Sequence, residues 1–285
     1  MGGLMTAGAP GEGAVLWVGI VLYQNAPREL ERLCAALRLN QETPGTPALR
    51  VVWWDNSPTD ELRAELARLD PGADYRFSGA NLGFGAAHNR MMKEAFASPS
   101  TRYYVCVNPD GVPHPRCFAE LTVEADRPGR TGLVEAMLFP DEHPKPYDPV
   151  THETPWCSGC VLLLTRALYQ ELGGFDERFF MYCEDVDLSW RARAAGLSIR
   201  VAPRALVHHY TVDRELTPRR EMSVRRSAAI LGAKYGNAAF AQERMREYQA
   251  LGGEPFSLPV VERPSSTLSR VADFQHHFMF AERRW

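Results

Sequence analysis

The stretch Val15–Tyr23 (VLWVGIVLY) constrains the fold more than any other part of this chain, because its nearly unbroken apolar run leaves no polar face. A strand at a solvated surface alternates apolar and polar residues. A continuous apolar run suits a strand covered on both sides, as in a parallel sheet. Parallel neighbours need crossover connections, usually helices, and the next hundred or so residues supply them. Pro27 opens a helical pattern that places Leu30, Leu33, Cys34 and Leu37 on one face, and Pro44, Gly45 and Pro47 end it. Leu49–Trp54 reads as the second strand, Thr59–Leu69 as a helix, and Tyr75–Phe77 as the third strand. A helix to about Phe96 and a strand Arg102–Val107 complete the series. The order β-α-β-α-β-α-β predicts an α/β doubly wound, mostly parallel sheet flanked by helices. Such sheets bind ligands beyond the carboxyl ends of their strands. Asn25, Asp55, Asn108 and Asp110 follow the first, second and fourth strands in this way.

The second half is less regular. Pro128–Thr154 is turn-rich and reads as a loop excursion. Cys157–Thr165 reads as a strand, Arg166–Leu172 and Glu184–Ala195 as helices, and Ile199–Ala202 as a short strand. Arg219–Ala250 is a long helical stretch interrupted by Gly232 and Gly236. Residues 1–13 read as a disordered lead-in, 14–212 as the main domain, and 213–285 as a helical C-terminal extension.

Composition narrows the function. The 32 Lys and Arg against 35 Asp and Glu give a net charge of −3, which argues against nucleic acid as a partner. Apolar residues at 45% suffice for a core. No apolar run approaches the length of a membrane-spanning helix, and the first 13 residues lack a signal-peptide pattern. Six scattered cysteines do not form a disulfide framework, so the expected setting is cytoplasmic.

Three groups carry candidate chemistry. Asn108-Pro109-Asp110 closes the fourth strand; Asp110 there either caps a turn or holds a divalent cation against a diphosphate. Glu184, Asp185 and Asp187 open a helix beside Phe179, Phe180, Tyr182 and Cys183. Acids cap helix N-termini, but a carboxylate shielded by apolar neighbours can also serve as a general base. The pair His208-His209 follows a strand and suits either a structural role or a metal. Cys157 and Cys160 lack a second pair to complete a zinc site. The glycines near Asn81 match neither nucleotide-loop spacing. The basic run Arg214, Arg219, Arg220, Arg225 and Arg226 is a solvated helix face or a contact for phosphates or a membrane surface.

Taken in order, VGIVLYQN, VVWWDNSPTD, NLGFGAAHNRMMKEA, VNPDG and the block from SGCVLLLT through GGFDERFFMYCEDVDLSWR to RVAP resemble the family-2 glycosyltransferases with a GT-A fold. The likeness is strongest to the rhamnosyltransferase-like branch and covers about Val18 to Thr211. It implies an inverting enzyme that moves a sugar, L-rhamnose from dTDP-rhamnose by the branch likeness, from a nucleoside diphosphate to a glycan or lipid-linked hydroxyl. It implies a nucleotide-sugar half over about 14–112 and an acceptor half over about 113–212. Asp185 would be the catalytic base. Tyr23, Asn25, Asp55, Asn81, Asn108 and Asp110 would bind the donor, with Asp55 on the nucleobase. Trp156, Gly159 and Glu184 would face the acceptor. Asp110 and His208 would hold Mg2+ or Mn2+, with His209 the lesser partner. Asn108 departs from the family's first metal-binding aspartate. Two other readings use the same features: a sugar nucleotidyltransferase, which would need a Gly-rich basic loop where Tyr23–Pro27 stands, and a binding module without turnover, which needs no base. The aromatic and basic tail (Phe274, His276, His277, Phe278, Phe280, Arg283, Arg284, Trp285) suits peripheral membrane contact, a homodimer contact, or a helix packed on the main domain.

Overall fold

The computed structural model describes residues 15–140, 145–209, 217–259, 270–272 and 274. The expected lead-in and most of the tail lie outside them. Strand β1 (Val15–Leu22) runs through the interior with Leu16, Val18, Ile20 and Leu22 packed on one side. Trp17 packs on the other. It pairs in parallel with β2 (Ala48–Asp55) and with β4 (Tyr103–Val107), and β2 pairs in parallel with β3 (Asp74–Phe77). Helices α1 (Pro27–Glu42), α2 (Leu62–Leu69) and α3 (Phe84–Ala95) are the crossovers. Leu30, Leu33 and Leu37 of α1 are buried, as the 3.6-residue spacing requires. At its start Pro27 removes a donor that would lack a partner, and Glu29 accepts from the Ala26 N–H at 3.1 Å.

Beyond β4 the sheet becomes mixed. β7 (Val161–Thr165) is antiparallel to β4, β6 (Thr131–Pro140) is antiparallel to β7, and β8 (Ser198–His209) runs parallel to β6. A two-residue β5 (Val112–Pro113) closes the order β3-β2-β1-β4-β7-β6-β8-β5. Helices α4 (Cys117–Ala125), α5 (Arg166–Leu172) and α6 (Glu184–Ala194) lie between these strands in the chain.

The loop expected over Pro128–Thr154 is corrected in its first part, which is β6. Pro128 precedes that strand and Pro140 is its last residue, while Leu133, Val134, Ala136 and Leu138 inside it are buried. The short strand expected at Ile199–Ala202 extends to His209, and α4 was not foreseen.

The long C-terminal helical stretch is two helices, α7 (Pro218–Lys234) and α8 (Ala238–Ala250), with Gly236 at φ +76° in the turn between them. Gly232 lets α8 approach, since a Cβ there would meet Ala241 N at 2.9 Å. Ala228, Ile230 and Leu231 of α7, with Tyr235 just after its end, pack in one apolar cluster with Val186 and Trp190 of α6, and Phe274 joins Trp190 at 5.2 Å. A buried ionic cluster fixes this contact. Asp187 accepts from Arg191 Nε at 2.8 Å and Tyr235 OH at 3.1 Å, and pairs with Lys234 Nζ at 2.5 Å. Lys234 also reaches Asp176 at 2.6 Å. Burial works against charge on Asp176, yet hydrogen bonds from Arg178 and Lys234 hold its carboxyl below the usual range.

Candidate active site

A cleft of about 560 Å3 opens at the carboxyl ends of β1 and β4. Tyr23, Asn25, Asn81, Asn108 and Asp110 line it from the parallel half; Trp156, Gly159, Glu184 and Asp185 line it from the other. Most of the expected site residues therefore meet in one place. They meet because strand-end turns put polar groups there: Asn25 Oδ1 accepts from the Tyr23 N–H at 2.8 Å, and Asn81 Oδ1 accepts from the Gly83 N–H at 3.0 Å. The Asn108 N–H donates to Cys160 O at 2.8 Å, which holds the turn after β4 against the segment that leads into β7.

Asp185 stands in the first turn of α6 with both carboxylate oxygens aimed by backbone donors. Oδ2 accepts from the Gly159 N–H at 2.9 Å and Oδ1 from the Val186 N–H at 2.8 Å. Burial raises its pKa, and the two N–H groups together with the charge of Lys145 offset only part of that rise. Glu184 beside it is pushed up further, by burial first and the charge of Asp185 second. Its Oε2 is buried without a hydrogen-bond partner among the described residues. The two adjacent carboxyls titrate as a pair, and the two backbone donors favour ionisation of Asp185 over that of Glu184. Asp187, the third acid, points away into the α7 contact and is structural. Gly159, expected to face the acceptor, lines the cleft but spends its N–H on Asp185.

The chain just before Glu184 is held in rare backbone geometry. Tyr182 and Cys183 have φ of +68° and +65°, and both line the cleft. Gly83 sits opposite with φ +82°, and a Cβ there would lie 2.1 Å from Phe180 O. The Phe84 N–H donates to that same oxygen at 3.0 Å, so the loop before α6 is tied to the start of α3.

Beneath Trp156 lies a buried pair without a signal in the residue pattern. Lys145 Nζ donates to Glu135 and, at 2.6 Å, to Trp156 O, and it sits 4.1 Å from the Trp156 ring centre. Glu135 also takes a hydrogen bond from the Ser158 backbone, yet burial keeps its pKa raised. Adjacent N–H groups of one loop, Ser158 and Gly159, thus grip Glu135 and Asp185. Glu29, Tyr182 and Arg220 are further lining residues outside the expected site set; Arg220 had a sequence signal in the basic run and Tyr182 in its place beside the acids, whereas Glu29 had none. Arg225 pairs with Glu247 at 3.0 Å and Arg226 stacks on Phe256, whereas Arg214 lies outside the described residues.

Two expectations change. His209, not His208, faces Asp110: its Nε2 is 3.5 Å from Asp110 Oδ2. His208 points into a separate groove. Neighbours on a strand face opposite sides, and the register of β8 slips between Ala202 and Leu206, which defeats a count of alternation from Ile199. Asp55 is fully buried and does not line the cleft. One of its oxygens accepts from the Ser57 N–H at 2.8 Å and the other from Tyr75 OH at 2.6 Å.

The donor atoms of Asp110, His209 and Cys160 lie within 4.8 Å of one another. A carboxylate with an imidazole suits Mn2+ better than Mg2+, which prefers oxygen ligands alone; the thiol is too soft to add much. Asp110 and His209 therefore fit the divalent cation expected from the sequence.

The chain belongs to a known family: the profile described as "Glycosyl transferase family 2" matches residues 17–188. Over 238 residues the chain is 30% identical to an N-acetylglucosaminyl-diphospho-decaprenol L-rhamnosyltransferase of Mycobacterium tuberculosis (strain ATCC 25618 / H37Rv), covering 68% of this chain and 76% of the relative. It is 27% identical over 196 residues to "Rhamnosyltransferase WbbL" of Escherichia coli (strain K12), covering 56% and 72%. In fold it is similar to the mannosyltransferase PcManGT from Pyrobaculum calidifontis, a structure in complex with GDP-Man and Mn2+, with a TM-score of 0.59, 17% identity and coverage of 84% and 76%. GalNAc-T7, crystallised with UDP, GalNAc and Mn2+, gives a TM-score of 0.62 at 15% identity, covering 92% of this chain and 54% of that one. The sheet and its flanking helices are thus a GT-A fold, and the protein is a glycosyltransferase of the rhamnosyltransferase-like kind.

Proposed function

We propose that the protein transfers L-rhamnose from dTDP-rhamnose to a hydroxyl of a lipid-linked or glycan acceptor, with inversion at the anomeric carbon. The observation that carries this reading is a single cleft holding both Asp110 and a backbone-aimed Asp185. The names of the relatives support the sugar and the lipid-linked acceptor.

Asp185 takes the proton of the acceptor hydroxyl as its oxygen attacks the anomeric carbon. One displacement of this kind inverts the configuration. The hydrogen bonds from Gly159 and Val186 fix the direction of the carboxylate, so little reorganisation is left for the reacting state. Asp110 and His209 would hold a divalent cation, which when bound offsets charge on the departing diphosphate. Arg220 offers a guanidinium from α7 to the same phosphates. Tyr23, Asn25, Asn81 and Asn108 form the donor side, about residues 14–112, with Asp55 supporting the strand end from below. Trp156 and Glu184 form the acceptor side, about 113–212, and the helices beyond 213 brace it. All six cysteines are free and buried, and we place the enzyme in the cytoplasm on that footing.

A panel of nucleotide sugars with a lipid-linked acceptor tests the proposal. Thermal stabilisation by dTDP-rhamnose, and a product of inverted anomeric configuration by NMR, are the expected results. Release of pyrophosphate from a nucleoside triphosphate would instead mark a nucleotidyltransferase. Donor binding without turnover would mark a binding module.

A further inference from the structure

Behind the wall that carries Asp110 and His209 lies a second cavity of about 470 Å3, an open groove with an almost wholly apolar lining. The wall is thin. Three elements each send one residue into the catalytic cleft and a near neighbour into the groove: Glu29 and Arg32 from α1, Asp110 and Val112 around β5, and His209 and His208 from β8. Leu39, Phe139 and Leu206 line the groove and are 50%, 62% and 41% exposed. Three of the seven large apolar side chains exposed among the described residues therefore gather on one face. Surfaces rarely keep such a cluster without an occupant.

Charge at the rim indicates which occupant. Arg32 is exposed beside the groove, and Arg204, whose side chain is 79% exposed, shares Glu120 with Arg116. Arg32 in the lining and Arg204, two residues before Leu206 on β8, thus offer two exposed guanidinium groups although the whole chain carries −3. Exposed apolar tips beside exposed guanidinium groups match an anionic bilayer, whose headgroups meet the guanidinium groups while its interface takes the side chains.

We propose that this face docks the protein on an anionic lipid bilayer, with Leu39, Phe139 and Leu206 entering the interface and Arg32 and Arg204 on the headgroups. The inference goes beyond the transfer reaction, since it concerns where the chain sits and not what it moves. It puts the catalytic cleft one wall away from the lipid.

Co-sedimentation of the full chain with phosphatidylcholine vesicles, with and without phosphatidylglycerol, tests the proposal. Binding should require the anionic lipid and weaken in high salt. The triple variant Leu39→Ser, Phe139→Ser, Leu206→Ser should bind at least about tenfold more weakly. Arg32→Glu and Arg204→Glu should each cost about fivefold or more. Val123→Ser with Val150→Ser, which alters exposed apolar residues that do not line the groove, should bind as wild type. Donor binding by calorimetry in the same variants should be unchanged, which keeps this test separate from the proposed function. No binding by the wild type, full binding by the triple variant, or equal loss in the Val123/Val150 control would overturn the proposal. So would a wild type that ignores vesicles and self-associates through this face, detected by light scattering and lost in the triple variant.

Discussion

Lys145→Met isolates the buried pair beneath the acceptor wall. The side chains of Lys145 and Glu135 are 5% and 4% exposed, so the variant strands a carboxyl away from water. Removing one partner of a buried ion pair costs about 3–5 kcal/mol, and the apolar Met, similar in volume, favours the lower end. At roughly 2–4 °C per kcal/mol for a chain of this size, about 3 kcal/mol lowers Tm by about 6–12 °C. The loss carries a pH signature. Burial already raises Glu135 above its unfolded value, against the pull of Lys145 and the Ser158 backbone. Without Lys145 it rises further. A carboxyl whose folded pKa is raised binds more protons folded than unfolded. Its stabilising effect is complete below the unfolded value and drains away as pH climbs through the folded one, by up to about 1.4 kcal/mol per pH unit. The stability gap between variant and wild type should therefore widen as pH rises above the unfolded carboxyl value of about 4.3. Adding Glu135→Gln should flatten that slope and recover part of the loss. Urea denaturation at several pH values measures both. A loss under about 1 kcal/mol, or one independent of pH, would refute the reasoning.

Gly83→Ala should destabilise by about 3 kcal/mol or more in thermal melts, since its backbone lies where only glycine is at ease and the new Cβ would strike Phe180 O. His209→Ala should weaken Mn2+ binding by at least about tenfold, read as lost thermal stabilisation by Mn2+, whereas His208→Ala should leave it intact. The acidic limb of kcat/KM should lie above the ordinary aspartate value of about 3.9, because burial raises Asp185 and activity needs its ionised form. Activity should rise with pH through that limb and then level off, and a limb at or below the ordinary value would contradict the assignment.

Much of the donor half was legible because each of its elements announces itself locally. Val15–Leu22 is apolar throughout, Pro27 and Pro44 bound α1, and Asn25, Asn108 and Asp110 fall at strand ends where a doubly wound sheet puts ligands. The acceptor half was harder. Strand β6 hides between prolines. His208 and His209 could be told apart only by a register slip that no alternation count detects. Asp55 sits at a strand end like the others, but Tyr75 and Ser57 draw it inward. Asp187 could not be separated from Asp185 by spacing, since its partner Lys234 lies far along the chain on α7. Lys145 looked like one lysine in a proline-rich loop. Long-range pairing decides these positions, and a single sequence does not display it.

Asp185→Asn tests the central claim most directly, with single-turnover transfer and donor calorimetry performed on the same preparation. Asparagine can still accept the Gly159 hydrogen bond but cannot take a proton. Transfer should fall by about 10^2–10^4 while the donor Kd stays at its wild-type value. Transfer within tenfold of wild type, or a loss of donor binding as large as the loss of rate, would show that the proton leaves by another route.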